Sequence, residues 1–487
     1  MFKINLFRDN DIKLITDNID NLQKKGEIKK RQLLGPFTDI YKEIKDIVFD
    51  FIKRKKRIIY GGMAWDLLIK TIKPNDSFYT DDDTPDIDFY SPDPINDLKE
   101  LCDLLFKKNK YDYISGINGS HEETYKIYIN FFEYCNITYM PSNIFYSILY
   151  IPIDNLRLIH PKVALIDLLR QYNDPINSFW RLEKVFKRGM LLLKHYPLEV
   201  SNKEQSLSSL DKSINIALFI LNHIIKLSNN SKYPIIFIGY FAFDAFFNPN
   251  KKLDQQTIEF KNVPLECISS NLDEDVKNIY NTILKYYMDN NQNDRFNDEI
   301  KIIEYQPFFQ FFDKRIEFLY KGEVFLTIYG NDDYCIPFQL VHYKKYSVYI
   351  GTFNVCFMYL LTKFHYQYIN KDKDGSYLTN YLLYLLNKSK DEFLNKNKVT
   401  LLDPHIFEDF KIECFGKTFD SIKIGNKKFI DTKRGLIPPG RSRISPYDPQ
   451  DQDNTFNPDN YKFSNSSGNP IINPKELIIQ INNKSND

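Results

Sequence analysis

Two short hydrophobic stretches in the first hundred residues have the pattern of neighbouring strands. Ile58–Tyr60 is an apolar run that predicts a short buried strand, and the spacing of apolar residues over Met63–Lys70 predicts a helix. Further along, the run Asp86–Phe89 alternates aspartate with an apolar residue, which predicts a strand with one buried face. Because side chains at i and i+2 leave a strand on the same side, the carboxylates of Asp86 and Asp88 share its other face.

A similar pattern returns in the second half of the chain as an internal repeat. Ile236–Asp244 repeats the strand, glycine turn and helix start of Ile58–Asp66. The runs Ile300–Phe312 and Arg315–Ile328 predict further strands, but no second pair of alternating aspartates occurs among them. We favour a duplicated domain that lacks the aspartate pair; chance similarity between two apolar strands is the alternative.

The remaining pattern divides the chain coarsely. Apolar spacing predicts further helices at Thr38–Lys53, Ile214–Leu227, Phe353–Ile369 and Tyr377–Leu386. From Asp431 the chain is rich in Pro, Asn, Ser and Asp, which is typical of an extended or disordered tail. We therefore expect four parts: a helical N-terminal segment (1–45), a first domain (46–200), a second domain (201–430) and the tail (431–487).

Composition agrees with a large multidomain protein and says little about its partners. The 487 residues and 43% hydrophobic content allow two or three domains with substantial cores. A net charge of +1 gives no general attraction to nucleic acid, so any such binding must use local patches. Candidate patches are Lys53–Arg57, which is more simply explained as cations at a helix C-terminus, and Arg434, Arg441 and Arg443.

Cysteine spacing and the N-terminus indicate a reducing, intracellular environment. The six cysteines are scattered, with no Cys-x-x-Cys and no histidine at zinc spacing, so neither a disulfide framework nor a structural zinc is predicted. The N-terminus lacks the apolar core of a signal peptide. The strongest apolar run, Ile235–Phe247, contains Asp244 and is too short to span a membrane.

The aspartate pair and the first glycine turn are the candidate chemistry. Two carboxylates side by side suit Mg²⁺, which completes its shell with water and substrate phosphates. The strand–Gly61-Gly62–helix turn presents backbone N–H groups to an anion. The alternatives are an ordinary turn and, beside the acidic run Asp81–Asp83, a charged solvated loop. The apolar residues that alternate with Asp86 and Asp88 favour the strand.

A basic helix predicted at Phe179–Leu193 supplies candidate cations for phosphates. Lys184 and Arg188 are four residues apart and share a face, and Arg181 lies three residues before Lys184. The alternative is an ordinary amphipathic helix whose basic residues face water. In that case its apolar residues are buried, namely Trp180, Val185, Leu191 and Leu192.

The order of these motifs resembles the DNA polymerase β-like nucleotidyltransferases, and within them the poly(A) polymerase catalytic subunits of poxviruses and giant viruses. The resemblance covers the first two fifths of the chain. It is carried by YGGMAWDLL at 60–68, PDIDFYSPDP at 85–94, NFFEYCNITYMPSNIFYSI at 130–148, HPKVALIDLLRQY at 160–172 and WRLEKVFKRGMLLL at 180–193. The longer gap between Gly61 and Asp86 requires an insertion around Lys73–Thr84 to loop out.

The resemblance implies a fold, substrates and site residues. The fold is α+β: a polymerase β-like domain with a mixed sheet and flanking helices, followed by a degenerate copy that grips RNA or a second subunit. ATP and an RNA 3′ end are the implied substrates, with Mg²⁺ or Mn²⁺ on Asp86 and Asp88. The implied nucleotide contacts are Gly61, Gly62, Arg181, Lys184 and Arg188. A homodimer or a processivity partner, no membrane, and action in the host cytoplasm or the virion are also implied.

One position departs from the family pattern. These transferases have a third carboxylate on a later strand, and the residue expected there is Asn136, between Cys135 and Ile137. An amide can hold the geometry but is neutral and is no base. Three explanations are open. Asn136 is an inactivating substitution, which we favour, or Glu133 reaches the site from its own position. Otherwise, two aspartates suffice for slower catalysis. Strict alternation puts Glu133 on the opposite face from Asn136 unless a bulge intervenes.

The sequence thus predicts a template-independent RNA 3′-adenylyltransferase that uses two metal ions in viral mRNA processing. Two alternatives stay open: a catalytically silent transferase-like subunit that binds RNA or acts as a scaffold, and a nucleotidyltransferase acting on small molecules or proteins. Metal-dependent turnover distinguishes the RNA adenylyltransferase from the silent subunit. Dependence on an RNA primer distinguishes it from a nucleotidyltransferase that acts on small molecules or proteins.

Overall fold

Two mixed β-sheets, each flanked by helices, make up most of the chain that the structure describes. The structure is a computed structural model. It describes residues 7–34, 38–80, 83–108, 110–119, 121, 123–203, 214–249, 264–331, 334–343, 346–410, 413–416, 444–451, 455–461 and 475–476. The candidate patch of Arg434, Arg441 and Arg443 lies outside these residues.

The first sheet has seven strands, and its central strands carry the first glycine turn and the aspartate pair. Its strands are β1 (Ile58–Tyr60), β2 (Ile87–Ser91), β3 (Ile114–Asn118), β4 (Thr124–Ile129), β5 (Phe132–Tyr139), β6 (Tyr150–Ile153) and β7 (Leu156–Ile159). They lie in the order β3-β4-β5-β2-β1-β7-β6. Strand β1 runs antiparallel to β2 and parallel to β7, while β2 runs parallel to β5.

In the described residues, eight α-helices precede or accompany this sheet. They are α1 (Asp9–Leu34), α2 (Thr38–Lys55), α3 (Gly61–Ile72), α4 (Pro94–Phe106), α5 (Ser142–Phe145), α6 (Pro161–Tyr172), α7 (Pro175–Ser178) and α8 (Leu182–His195). The basic helix predicted at Phe179–Leu193 thus begins three residues later than expected. The inserted loop contains a short 3₁₀ helix, Pro74–Asp76, and is anchored by the buried Asp66 carboxylate, which accepts hydrogen bonds from Ser77 and Phe78.

The second sheet has nine strands in the described residues. They are β8 (Ile236–Ile238), β9 (Leu265–Ser269), β10 (Ile300–Tyr305), β11 (Arg315–Tyr320), β12 (Glu323–Gly330), β13 (Ile336–Tyr343), β14 (Tyr346–Gly351), β15 (Cys414–Phe415) and β16 (Lys475–Glu476). Their order is β15-β13-β14-β8-β9-β12-β11-β10-β16. The accompanying helices are α9 (Ile214–Asn229), α10 (Gly239–Phe247), α11 (Leu272–Asp289), α12 (Asn293–Glu299), α13 (Phe353–Ile369) and α14 (Lys373–Asn397).

The second sheet repeats the first strand by strand. Read from β10 to β13, its seven inner strands follow the order of β3 to β6 in the first sheet. Gly61 and Gly239, which begin α3 and α10, have φ values of 66° and 67°. Behind each turn a serine hydroxyl donates to an aspartate at 2.5 Å, Ser91 to Asp97 and Ser269 to Asp275. The predicted second transferase-like domain is therefore confirmed, while the domain boundaries stay predictions.

The two domains share one core, and described parts of the tail pack on both. Their buried apolar residues form a single continuous cluster. Asn118 in β3 exchanges two hydrogen bonds with the backbone of Ile444, and β16 pairs with β10. None of the described helices is both long enough and apolar enough to cross a membrane.

A disulfide corrects one expectation from the sequence. Cys335 and Cys414 are bonded across the pairing of β13 with β15. The two cysteines are 79 positions apart, so no local spacing could reveal that a short strand near the end of the second domain brings them together. Cys102, Cys135, Cys267 and Cys356 are free and buried.

Candidate active site

Asn136 lies at the centre of a group of acidic side chains. Strands β2 and β5 are parallel neighbours, and their register places Asp88 opposite Asn136. The Asn136 amide nitrogen lies 2.8 Å from Asp88 Oδ1, 2.9 Å from Glu133 Oε1 and 3.2 Å from Asp86 Oδ2, with the amide donating in each contact. The structure thus brings together all four residues considered for the metal and catalytic site.

Glu133 reaches this group because β5 contains a bulge. In the pairing of β4 with β5, Ile127 is opposite Cys135 but the next residue, Tyr128, is opposite Glu133, so Tyr134 is the extra residue. One extra residue restores the alternation that would otherwise place Glu133 and Asn136 on opposite faces. The other Glu133 oxygen accepts from Lys126 Nζ at 2.6 Å and from Tyr128 Oη at 3.2 Å.

Burial and neighbouring charges raise the pKa of Asp88. Burial is the main reason that the pKa of Asp88 rises to about 7, and the nearby Asp86 and Glu133 carboxylates raise it further. The Asn136 hydrogen bond and the Arg181 guanidinium act in the opposite direction. Arg181 is therefore close enough to Asp88 to lower its pKa, while its role in nucleotide binding stays a prediction.

The first glycine turn is in contact with the site. Gly61 adopts a left-handed conformation, and a Cβ atom there would lie 2.7 Å from Asp88 Oδ2. Only glycine therefore satisfies both the turn and the close approach of the carboxylate. No side chain caps the start of α3, where Tyr60 is the N-cap residue. The positive end of the helix dipole is thus available to an anion.

The basic residues of helix α8 lie in different environments, one beside the glycine turn and another exposed. Arg188 Nη1 donates to Tyr79 Oη at 2.9 Å, and the same nitrogen would lie 3.2 Å from a Cβ at Gly62. Lys184 is exposed on this helix. Val185 and Leu192 are buried, as the amphipathic alternative predicts, but Trp180 precedes the helix and is 70% exposed. The expectation that Trp180 is buried is wrong, because the helix begins after it.

Three residues at the site were missed by the sequence analysis. Lys126 pairs with Glu133. Tyr79 belongs to the loop and holds Arg188 beside Gly62, and Asp66 of α3 anchors that loop by accepting from the Tyr79 backbone N–H. Lys126 alternates with Tyr125 and Ile127, which are buried, so the strand pattern could have indicated that it shares a face with the acidic group. Nothing in the sequence marks Tyr79.

The side chains fit a divalent metal that substrate helps to bind. Asn136 is 8% exposed, and its Oδ1 has no hydrogen-bond partner among the described residues. Together with the Asp86 and Asp88 carboxylates it offers a hard, oxygen-rich set. In the described part of the chain, no three His, Cys, Asp or Glu side chains form a metal site by themselves. Phosphate oxygens would therefore be needed to complete the coordination.

The equivalent position in the second domain holds an ion pair. Glu266 is opposite Ile238 as Asp88 is opposite Tyr60, and it approaches Gly239 as Asp88 approaches Gly61. Its carboxylate contacts Lys363 Nζ of α13 at 2.6 Å. An ammonium group thus stands where the first domain would bind a metal.

Comparisons with known proteins cover both domains. A family described as "Poly(A) polymerase catalytic subunit" matches residues 46–178. A second, described as "APMV, Putative poly(A) polymerase, catalytic subunit, C-terminal", matches residues 242–481. The first match contains the glycine turn and the acidic group, and the second contains most of the second domain and the tail.

Individual relatives agree with these families. A putative poly(A) polymerase catalytic subunit of Acanthamoeba polyphaga mimivirus is 30% identical over 510 aligned positions, which cover 98% of this chain and 85% of the relative. One from African swine fever virus (isolate Pig/Kenya/KEN-50/1950) is 32% identical over 161 positions, about a third of each chain. The crystal structure of the Megavirus polyadenylate synthase superposes with a TM-score of 0.77 at 27% identity, covering 92% of this chain and 87% of that one.

Proposed function

Because the chain belongs to the family of viral poly(A) polymerase catalytic subunits, which are polynucleotide adenylyltransferases, we propose that it adds AMP from ATP to RNA 3′-hydroxyl ends without a template and releases pyrophosphate. The observation that carries this proposal is the acidic group of β2 and β5 beside the uncapped glycine turn of α3. Use of this activity in viral mRNA processing, in the host cytoplasm or the virion, is part of the same proposal.

Asp86 and Asp88, with the Asn136 amide oxygen, are the residues that would hold Mg²⁺ or Mn²⁺. When bound, two such ions would neutralise the triphosphate and lower the pKa of the primer 3′-hydroxyl. The Asn136 side chain must then turn its oxygen inwards, and this movement would release the three hydrogen bonds that its nitrogen donates. Asp88 must be ionised to bind the metal, and the burial of its carboxyl, which raises its pKa, opposes ionisation in the absence of metal.

Backbone N–H groups and basic side chains of the protein would bind the triphosphate of the substrate. The start of α3 at Gly61 and Gly62 presents backbone N–H groups and a helix dipole to the triphosphate. Arg181, Lys184 and Arg188 would supply its counter-charges, with Arg188 held in place by Tyr79. The adenylyl group would then lie between these cations and the carboxylates, which would align it with an incoming RNA 3′ end.

We assign the third carboxylate to Glu133, because the bulge of β5 brings it to the face of Asp86 and Asp88. In this role it would accept the proton of the 3′-hydroxyl, and Lys126 would hold its second oxygen in place. An inactivated enzyme that binds RNA is the second candidate, favoured by the amide at the third position. The name "catalytic subunit" in the relatives agrees with a processivity partner, and a homodimer is the other possibility we propose.

Primer extension with ATP and Mg²⁺ or Mn²⁺ tests this assignment. We expect the full chain to elongate an RNA primer, Glu133→Gln and Asp88→Asn to abolish elongation, and Asp154→Asn to have no effect. Asp154 is an exposed turn residue with a left-handed backbone that asparagine also adopts, so it is a matched carboxylate-to-amide control. Elongation that is unchanged by Glu133→Gln would remove its role.

The variant Asn136→Asp separates the two candidate functions. If only that variant elongates the primer, the natural chain is an inactivated enzyme, and RNA binding without turnover is its function. If both proteins elongate it, the amide is tolerated and the enzyme assignment stands. If neither does so while both bind the primer, the silent subunit replaces the enzyme as the proposed function.

A further inference from the structure

A cavity of about 140 Å³ lies between the two domains, away from the acidic group. The first domain contributes the start of α6, with His160 and Lys162, and the second contributes His365 and Tyr368 of α13. Apolar side chains form the remaining walls. None of the residues that line it belongs to the acidic group or the glycine turn.

His365 is the buried polar group of this cavity. It is 2% exposed, and its Nε2 has no hydrogen-bond partner in the part of the chain that the structure describes. Burial is the main reason that the pKa of His365 falls to about 3, with a smaller effect from His160 and Lys162. The ring is therefore neutral, and an unpartnered buried nitrogen is costly unless another molecule satisfies it.

His160 presents a donor to the same space. Its Nδ1 accepts a hydrogen bond from the backbone N–H of Lys162 at 3.1 Å. A neutral ring that accepts at Nδ1 carries its proton on Nε2, so the Nε2–H group can donate. Burial followed by the charge of Lys162 lowers the pKa of His160, which keeps the ring neutral.

Lys162 makes the cavity positive. Its ammonium lies 5.6 Å from the centre of the Phe364 ring and forms no ion pair with a carboxylate of the described residues. It also lies in the first turn of α6, where the helix dipole adds to its charge. No acidic side chain is among the groups that shift the pKa of His365. The described residues that line the cavity thus include a cation and two imidazoles but no acidic side chain.

We propose that this cavity binds one phosphate group, held by Lys162, His160 and His365. The cavity is below the roughly 300 Å³ at which pockets for whole small molecules begin, so a complete nucleotide would not fit inside. Tyr368 is 52% exposed at the rim, where it can pack on whatever the phosphate is attached to. The phosphate can belong to the RNA backbone or be inorganic phosphate or pyrophosphate, and binding does not require adenylyl transfer.

Calorimetric titration of the full chain with inorganic phosphate and with pyrophosphate tests the free-anion source. The titrations are done in EDTA, so that no metal recruits these anions to the acidic group. We expect Lys162→Met and His365→Gln to weaken binding at least tenfold. Lys226→Met is the matched control, because Lys226 is an exposed lysine on α9, far along the chain from the cavity. If His365→Gln is poorly folded, the Lys162→Met variant still tests whether the cavity binds the anion.

Fluorescence anisotropy with a labelled oligo(A) tests the RNA source. For single strands, each phosphate contact contributes about 0.7 to the slope of log binding constant against log salt. We expect Lys162→Met to lower that slope by about 0.7 between about 50 and 200 mM KCl, and Lys226→Met to leave it unchanged. A change in either assay supports the site and identifies its source. Equal anion binding and equal salt slopes in all four proteins would show a water-filled cavity and overturn the proposal.

Discussion

At the scale of single residues, the Asn136 amide donates hydrogen bonds to its acidic neighbours, which a carboxylate in its place could not do. It donates to Asp86, Asp88 and Glu133, whose like charges repel one another. A fourth carboxylate in its place would add to this repulsion and remove the donor. The amide therefore stabilises the metal-free site, while it contributes less charge than aspartate would to binding a metal ion.

Replacing this amide should make the stability of the protein depend on metal. We expect Asn136→Asp to lower the stability in EDTA by about 1–3 kcal/mol, and saturating Mg²⁺ to restore more stability to the variant than to the natural chain. Thermal melting of both proteins with EDTA and with Mg²⁺ measures this difference.

Asn155→Asp is the control for that measurement, because Asn155 is an exposed residue of the turn between β6 and β7. It should melt like the natural chain under both conditions. An Asn136→Asp protein that melts like the natural chain in EDTA would contradict the stabilising role of the amide.

The face on which Glu133 lies could not be predicted from residue spacing. Alternation along the strand indicates that Asp86 and Asp88 share a face, and the Asn136 amide contacts both of them. The third position, Asn136, came from the resemblance to the transferase family and not from spacing. Alternation places Glu133 on the wrong face, because the bulge at Tyr134 depends on the pairing of β4 with β5. A bulge is a property of two strands together, so one strand's sequence does not determine it.

At the scale of elements, the strand–glycine–helix unit explains why two glycines are needed in equivalent places. At Gly61 and Gly239 the backbone is left-handed, and the carboxylate of the neighbouring strand lies where a Cβ would be. A Cβ would lie 2.7 Å from Asp88 Oδ2 in the first unit and 2.3 Å from Glu266 Oε2 in the second. The turn therefore positions an acidic side chain in both domains, although one domain alone keeps the aspartate pair.

Matched alanine substitutions should separate these two turns. We expect Gly61→Ala and Gly239→Ala each to destabilise the protein by at least about 1–2 kcal/mol, because a side chain is strained at positive φ. Only Gly61→Ala should also abolish primer extension, since its Cβ displaces Asp88. Thermal melting and primer extension at a temperature where all variants are folded measure the two effects.

Gly322→Ala is the control for backbone strain alone. Gly322 has a φ of 87°, and apart from its chain neighbours no heavy atom of the described residues lies within 4 Å of the position its Cβ would take. It should lose stability like the others but keep full activity. If Gly61→Ala also keeps full activity, contact between the turn and Asp88 has no catalytic importance.

The bounds of predicted elements were met unevenly: the strand Ile58–Tyr60 has the predicted bounds, whereas the helix predicted at Tyr377–Leu386 extends over Lys373–Asn397. Helix α13 has the predicted bounds, because its apolar spacing runs without interruption from Phe353 to Ile369. The predicted strand Arg315–Ile328 is a hairpin of β11 and β12, turned at Lys321 and Gly322, where both residues have positive φ. The exposed polar residues Lys321, Gly322 and Glu323 interrupt the apolar pattern, so the sequence carried a turn signal that the prediction of one long strand missed.

At the scale of the whole molecule, one topology is used for two different purposes. Both domains keep the strand order, the glycine turn and the serine–aspartate contact. The first has an oxygen-rich group that fits a metal, and in the second the equivalent carboxylate, Glu266, pairs with Lys363. The sequence repeat predicted the common fold from the strand and turn pattern. It could not predict the ion pair, because Lys363 is far from Glu266 in sequence and meets it only when α13 packs on the sheet.

The ion pair should stabilise the second domain without affecting catalysis directly. The Glu266 side chain is 10% exposed, so Lys363→Met would leave a largely buried charge without its partner. We expect a loss of about 2–3 kcal/mol, at or below the lower end for buried pairs because Lys363 is 30% exposed. The double variant Glu266→Gln, Lys363→Met should recover most of this loss, since no charge then remains buried. Thermal melting measures both changes, with primer extension at a permissive temperature as the activity readout.

Lys388→Met provides the comparison, because Lys388 pairs with Glu392 on an exposed helix face where the ion pair contributes little. The second domain should therefore tolerate loss of the exposed pair but not of Lys363. Equal melting temperatures for the Lys363 and Lys388 variants would mean that Glu266 is solvated or protonated. In that case the resemblance of the ion pair to a metal site would be geometric only.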